Sequence, residues 1–351
     1  MSIKELAGKV QTVLGRISPD QLGITLPHEH IVADLSPIFI EPKEATDKAM
    51  AYHPVTIDIL WWIRYHQVQN LDDCRLLDEK LAIEEILRFK SAGGKSIVDM
   101  SNIGLGRDPL ALARIARITG LNIITGSGYY FDSSMGPEMD TKSEEEIVEE
   151  IVRDISEEVG NTRIRAGMIG EIGCSSPLTK REMKSLRAAA KAQKITGAPL
   201  NIHPGRNEDS LGEIMPILEK AGADLSRTVI SHIDRTLRNP ANRSQLAKTG
   251  CYLEYDIFGR EGYFLTQTMN IDLPNDHQRL NEIAQLIDDG YLEQILISQD
   301  ICNKSSLCAY GGWGYAHILR DTVPVMRQKG FTEDVIRTLI VENPKRLLTF
   351  V

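Results

Sequence analysis

Two textures alternate along the chain. Short apolar runs rich in β-branched residues are each followed by a longer stretch with apolar residues every three to four positions. The short runs are 22–31 (LGITLPHEHI), 95–100 (KSIVDM), 121–130 (LNIITGSGYY), 166–173 (AGMIGEIG), 199–205 (PLNIHPG), 228–234 (TVISHID), 251–258 (CYLEYDIF) and 294–300 (QILISQD). The longer stretches predict helices near 77–92, 109–119, 143–158, 179–196, 209–222, 239–249 and 277–290, and two more near 314–329 and 332–348. Strands that are apolar throughout are buried on both faces, as in a parallel sheet covered by helices. Eight such units predict an α/β fold, the closed (β/α)8 TIM barrel. An open doubly wound sheet normally holds fewer strands, and no GxGxxG turn follows the first strand. Residues 36–75, with Trp61 and Trp62, predict a helical insertion after strand one. No low-complexity segment, Pro-rich linker or charge block divides the chain, so the expectation is one domain over residues 1–351.

Composition narrows the picture only slightly. A length of 351 residues suits a barrel of about 250 residues with insertions. A net charge of −9 argues against a nucleic-acid or anionic-membrane surface. The opening MSIKELAGKV lacks the apolar core of a secretory signal, and no run approaches the ~18 apolar residues of a membrane helix. The five cysteines, Cys74, Cys174, Cys251, Cys302 and Cys308, form no CxxC pair. The expected setting is therefore a reducing, cytoplasmic one. Cys174, Cys251 and Cys302 lie beside strands and read as small core or rim residues.

Chemistry concentrates where a parallel barrel builds its active site, at the C-terminal ends of the strands. His28 and His30 close strand one as His-Glu-His; positions i and i+2 of a strand face the same side, so both can reach one metal. Glu171, His203, His232 and Asp300 lie near the ends of strands four, five, six and eight. Nitrogen and carboxylate donors suit zinc or a similar divalent ion, with Mn2+, Co2+ or Fe2+ as alternatives. Four histidines and two carboxylates suffice for two ions, with Glu171 between them. A lone His-x-His, a strand-end histidine or a strand-end carboxylate is each weak evidence, and their coincidence is strong. His53, His66 and His277 lie in insertions or helices and read as structural, as does His317 at the start of a late helix.

The segments LPHEH (26–30), GMIGEIG (167–173), IHPGR (202–206), SHIDRT (231–236), YLEYDIFG (252–259), YGGWGYAHIL (310–319) and ENPK (342–345) resemble the phosphotriesterase family of the amidohydrolase superfamily. The likeness, strongest to the family's animal members, runs from GKVQTVLG (8–15) to ENPKRLLTF (342–350). It implies that His28, His30 and Asp300 hold a buried α metal, that His203 and His232 hold a more exposed β metal, and that Glu171 takes the bridging position. Two features depart from the family pattern. Many members bridge with a carboxylated lysine, whereas a glutamate brings its own carboxylate. A relay histidine after strand seven is replaced by Tyr255-Asp256-Ile257-Phe258, which puts the hydrolysis of phosphotriesters in doubt.

The resemblance implies a binuclear amidohydrolase that cleaves a small anionic N-acyl amine, N-acetyltaurine to taurine and acetate in its animal members. Asp300 is then the catalytic proton carrier. Arg206, Arg235 and Lys304 follow His203, His232 and Asp300 by three, three and four residues, and on an acidic chain they suggest an anionic group on the substrate. Tyr130 corresponds to an aromatic pocket wall. Three readings stay open at this point: this amidase, a lactonase or phosphoesterase of the same family, and a non-catalytic metal-binding protein. The expected partners are a small-molecule substrate and, for assembly, a second copy in a homodimer. Nucleic acid and membrane are not expected.

Overall fold

The computed structural model describes residues 5–265 and 270–351. Eight parallel strands run in chain order around one sheet: β1 (Thr25–Glu29), β2 (Ser96–Asp99), β3 (Asn122–Ser127), β4 (Met168–Gly173), β5 (Leu200–His203), β6 (Thr228–Ile230), β7 (Tyr252–Tyr255) and β8 (Ile295–Ile297). The predicted runs place all eight, and each strand proper is shorter than its run. Helices α1 (Glu79–Ser91), α2 (Pro109–Thr119), α3 (Glu144–Ser156), α4 (Lys180–Thr196), α5 (Ser210–Ala221), α6 (Pro240–Ala247) and α7 (Asp276–Asp288) follow β1 to β7. The expected α/β barrel is therefore the observed one.

Local chemistry sets these boundaries. Helix α4 starts on a reciprocal cap: the Thr179 side chain accepts from Glu182 N–H, and the Glu182 carboxylate accepts from Thr179 N–H. It stops at Gly197, whose φ of +67° is open to a residue without Cβ. Helix α3 begins with Ser143 in the same role and three glutamates in its first turn, where the helix dipole favours negative charge.

Pleating sorts the side chains into two layers. Val98, Ile124, Met168, Val229 and Leu296 pack with Val10 and Leu22 from the N-terminal segment and Leu347 and Leu348 near the C-terminus. Ile97, Ile123, Ile169, Ile230 and Ile297, one position off, pack towards the helices. The first layer fills the barrel at the end where strands start. There a hairpin, Val10–Thr12 with Gly15–Ile17, joins β3 through Val13 N–H to Ile123 C=O at 2.8 Å. Its three-residue strands are too short to show a period, and the sequence reading missed them.

Closure of the barrel depends on Glu29, the middle residue of His-Glu-His. Its buried carboxylate accepts hydrogen bonds from Ser298 Oγ (2.7 Å), Gln299 N (2.9 Å) and Ile301 N (2.8 Å) beyond β8. Main-chain bonds from Asp300 N to His28 C=O (3.3 Å) and from His30 N to Ile301 C=O (3.2 Å) complete the seam. Burial pushes the Glu29 carboxyl up to about 7 against the pull of these donors.

The insertion holds two short helices, Ala45–Ala51 and Leu60–Ile63, and is pinned at its base by an antiparallel pairing of Ala33–Asp34 with Arg75–Leu76. Trp62 is buried and donates to Asp47 at 2.9 Å, whereas Trp61 faces outward. A second hairpin, Gly262–Leu265 with Asn270–Leu273, lies in the loop after β7 and was also missed. Near the C-terminus the two predicted helices are broken by wider turns at Ile318–Thr322 and Thr338–Glu342. No helix among the described residues is long and apolar enough to cross a membrane.

Candidate active site

Strand ends bring six polar side chains to one place. Glu171 lies at the centre. Its Oε2 is 2.7 Å from His203 Nδ1 and 3.5 Å from both His28 Nε2 and His232 Nε2, and its Oε1 is 3.4 Å from His30 Nε2. Asp300 Oδ1 lies 3.3 Å from His30 Nε2 and 3.9 Å from His28 Nε2. His203 Nδ1 and His232 Nε2 are 2.8 Å apart. His232 and Asp300 have φ values of +55° and +47°, uncommon for residues with a Cβ. These left-handed turns immediately after β6 and β8 redirect both side chains, a form of local strain often found at functional sites.

A second layer of carboxylates and hydroxyls fixes the rings. His28 Nδ1 donates to Glu254 Oε2 at 2.9 Å, His232 Nδ1 to Asp256 Oδ1 at 2.7 Å, and His30 Nδ1 faces Ser101 Oγ at 3.1 Å. With Nδ1 engaged, Nε2 of these three rings is turned to the centre. Glu254 is held in turn by Asn201 Nδ2 (2.9 Å) and Ser231 Oγ (3.0 Å). Asp99, also buried, accepts from the backbone N–H of Ile31, Val32 and Ser101 and sets the turn after His30.

The donor set fits a divalent metal. His28 Nε2 is buried, has no hydrogen-bond partner and points at two carboxylates. Ligand atoms of His28, His30 and Asp300, and likewise of His28, Glu171 and His232, lie within 4.8 Å of one another. The electrostatics agree. Burial alone would lower the His28 pKa, but Asp256, Glu171 and Glu254 reverse this and hold it well above its usual value. For His30 burial is likewise outweighed, by Asp300 and Glu171, and its pKa rises to about 10. Burial opposes ionisation of Glu171, yet His203 and His28 hold its carboxyl well below the usual range. The pocket therefore favours positive charge on the His28 and His30 side. His203 differs: burial, His232 and the Arg235 guanidinium depress its pKa.

The remaining predicted residues divide. Arg206, Arg235 and Tyr130 line the same pocket as Glu171, His203 and Asp300. Arg235 is buried, with Nη2 2.9 Å from His203 Nε2 and Nη1 without a partner. Tyr130 is buried with its hydroxyl 3.3 Å from His203 Nδ1. Among the described residues Arg206 makes no hydrogen bond or ion pair. Lys304 does not join the group. Its ammonium is ion-paired with Asp72 at 2.5 Å, because the insertion carries Asp72 to the loop after β8 and a lysine stem is long enough to turn away. In its place Arg260, from the loop after β7, lines the pocket. The histidines read as structural lie elsewhere: His66 stacks on Trp62, and His317 bridges Asp276 and Asp321.

Sequence reading passed over Glu29, Glu254, Asp256 and Arg260. A signal existed for two of them. Glu254 and Asp256 sit at i and i+2 in the otherwise apolar YLEYDIF, and a charged pair on one face of a buried strand needs partners.

Fold and site together define a barrel hydrolase whose strand ends converge on an imidazole–carboxylate cluster. The chain belongs to the phosphotriesterase family, which it matches over residues 8–348. It is 43% identical to the phosphotriesterase-related protein of Nematostella vectensis over 98% of this chain and 99% of that one. It is 42% identical to the N-acetyltaurine hydrolase of Xenopus tropicalis over 99% and 100% of the two chains. Its structure superposes on a resiniferatoxin-binding protein from Rhodobacter sphaeroides with a TM-score of 0.94 and 38% identity, covering 97% and 95%. The chain is a hydrolase, and enzymes of its family depend on binuclear metal centres.

Proposed function

We propose that this hydrolase uses two divalent metal ions, zinc by donor type, to cleave N-acetyltaurine into taurine and acetate. The observation behind this reading is the pairing of an imidazole–carboxylate cluster with guanidinium groups in one pocket, in a chain 42% identical to an N-acetyltaurine hydrolase. His28, His30 and Asp300 would hold one ion, His203 and His232 the other, and Glu171 both. Ions so placed would supply Lewis acidity and lower the pKa of a shared water towards neutrality. The protein's own groups do the rest. Asp300 Oδ receives the proton of the attacking water and returns it to the departing nitrogen. Glu254 and Asp256 keep His28 and His232 in one tautomer throughout. Tyr130, whose hydroxyl burial and the nearby Glu171 keep protonated, covers the acyl side. Arg206 holds the sulfonate. The setting we propose is cytoplasmic.

The test is a parallel assay of the metal-loaded protein on N-acetyltaurine, other N-acyl amino acids, lactones and aryl phosphotriesters. Preferential turnover of N-acetyltaurine is expected; turnover of lactones or phosphotriesters in its place would overturn the assignment. Elemental analysis should find about two divalent ions per chain, the number the ligand set can hold. Chelation should remove activity, and activity that survives in metal-free protein would refute the metal role. Because Glu171 is itself a carboxylate, reconstitution of the apo-protein should proceed equally well with and without bicarbonate. A requirement for bicarbonate would place a modified lysine at the bridge instead.

A further inference from the structure

Arg260 was not anticipated from sequence and has no part in holding the metals. It is buried, and it stands where the metal pocket meets a larger hollow of about 280 Å³; Gln67 lines both spaces with it. Its guanidinium carbon lies 6.0 Å from the centre of the Trp313 ring, and Nη2 is 3.4 Å from Asn303 Oδ1 and 3.7 Å from Cys302 Sγ. Its carbonyl accepts from Arg279 Nη2 at 2.6 Å, which anchors the loop. The fork is thus aimed, not free to wander. Arg206 and Arg235 line the same metal pocket, and Arg235 presents a buried Nη1 with no acceptor. Three arginines therefore line one small space. Of the carboxylates in that pocket, Glu171 and Asp300 face the histidines, and the charge of Asp300 also reaches Arg206 and Arg260. Like charges gathered in a buried pocket repel, and an orphaned donor costs free energy; an anion with several oxygens relieves both.

We propose that Arg260 completes a three-guanidinium receptor with Arg206 and Arg235, matched to an anion with three equivalent oxygens, so that the site selects sulfonates over carboxylates. This rests on the amidase reading above and specifies its substrate class. A sulfonate offers one oxygen edge to each fork. A carboxylate has two oxygens and satisfies one fork in bidentate fashion, leaving the others unmatched.

The experiment compares wild type, Arg260→Gln and Arg260→Lys on three amides: N-acetyltaurine, N-acetyl-β-alanine, which carries a carboxylate at the same spacing, and uncharged N-acetylethanolamine. Wild type should prefer the sulfonate by at least about 10-fold in kcat/KM. Arg260→Gln should lose about 10- to 100-fold on N-acetyltaurine, mainly through KM, and at most about threefold on the other two. Arg260→Lys, which keeps the charge without the fork, should recover only part of the loss. Equal losses on all three amides, or no loss, would overturn the receptor. Calorimetric titration with ethanesulfonate and propanoate separates this from failure of the amidase reading. If wild type cleaves none of the three amides, that reading falls. The receptor then stands if ethanesulfonate binds wild type at least about 10-fold more tightly than Arg260→Gln, and falls if the two bind it alike.

Discussion

Asp300→Asn should lower kcat by about 10²-fold or more while the fold is retained, the scale of a positioned general base. Asparagine keeps the shape of the side chain and one oxygen for ligation, and it removes the group that can take up a proton. Its position makes Asp300 the carboxylate proposed for this role. Glu254 and Asp256 are fully buried behind the histidines, and Glu171 is enclosed by four rings. Asp300 retains 9% exposure and lines the pocket itself. Burial raises its pKa, but the hydrogen bond from His30 and the charges of His232 and His28 pull it far below the usual carboxylate range. In the proposed role its carboxylate takes the proton of the attacking water and passes it on to the more basic nitrogen of the leaving amine. The measurement is kcat for the variant, with metal content and thermal melting as controls. Turnover near that of wild type, with metal content unchanged, would remove Asp300 from proton transfer.

The second large effect concerns charge. Arg206→Ala should lower kcat/KM for N-acetyltaurine by about 10- to 200-fold, the equivalent of a charge-assisted contact of about 1.5–3 kcal/mol. An uncharged ester or lactone should be cleaved almost as before. Arg206 follows the β5 histidine His203 by three residues and lines the pocket with it, and no carboxylate among the described residues forms an ion pair with it. Its guanidinium feels burial first, which lowers its pKa, and the positive charge of Arg260 adds to this. An anionic substrate group relieves both effects. A similar loss on charged and uncharged substrates would show that Arg206 supports the metal ligands or the fold. No loss on either would exclude it from substrate binding.

What could be read from the chain alone follows from periodicity and from barrel topology. Eight strands and the helices between them were legible because each strand is buried on both faces and each helix on one, so every element writes its own pattern. That all active groups of a parallel barrel meet at one rim is a rule of the fold, so His28, His30, Glu171, His203, His232 and Asp300 could be gathered from positions over 270 residues apart before any coordinate was known. Local spacing fails where loops decide direction. Lys304 and Arg206 looked alike in sequence, each a few residues beyond a strand-end candidate ligand. Only the fold showed that Asp72, carried in by the insertion, pairs with Lys304, while Arg206 stays in the pocket. Arg260 was hidden for the converse reason. It follows no strand-end ligand, and its place depends on the path of the loop after β7 and on Trp313 and Asn303 from the loop after β8. Glu29 and Glu254 required closure of the barrel, because their partners lie across strands. A residue's own neighbours determine whether it forms strand or helix; which distant side chain neutralises a buried charge is settled only when the sheet closes.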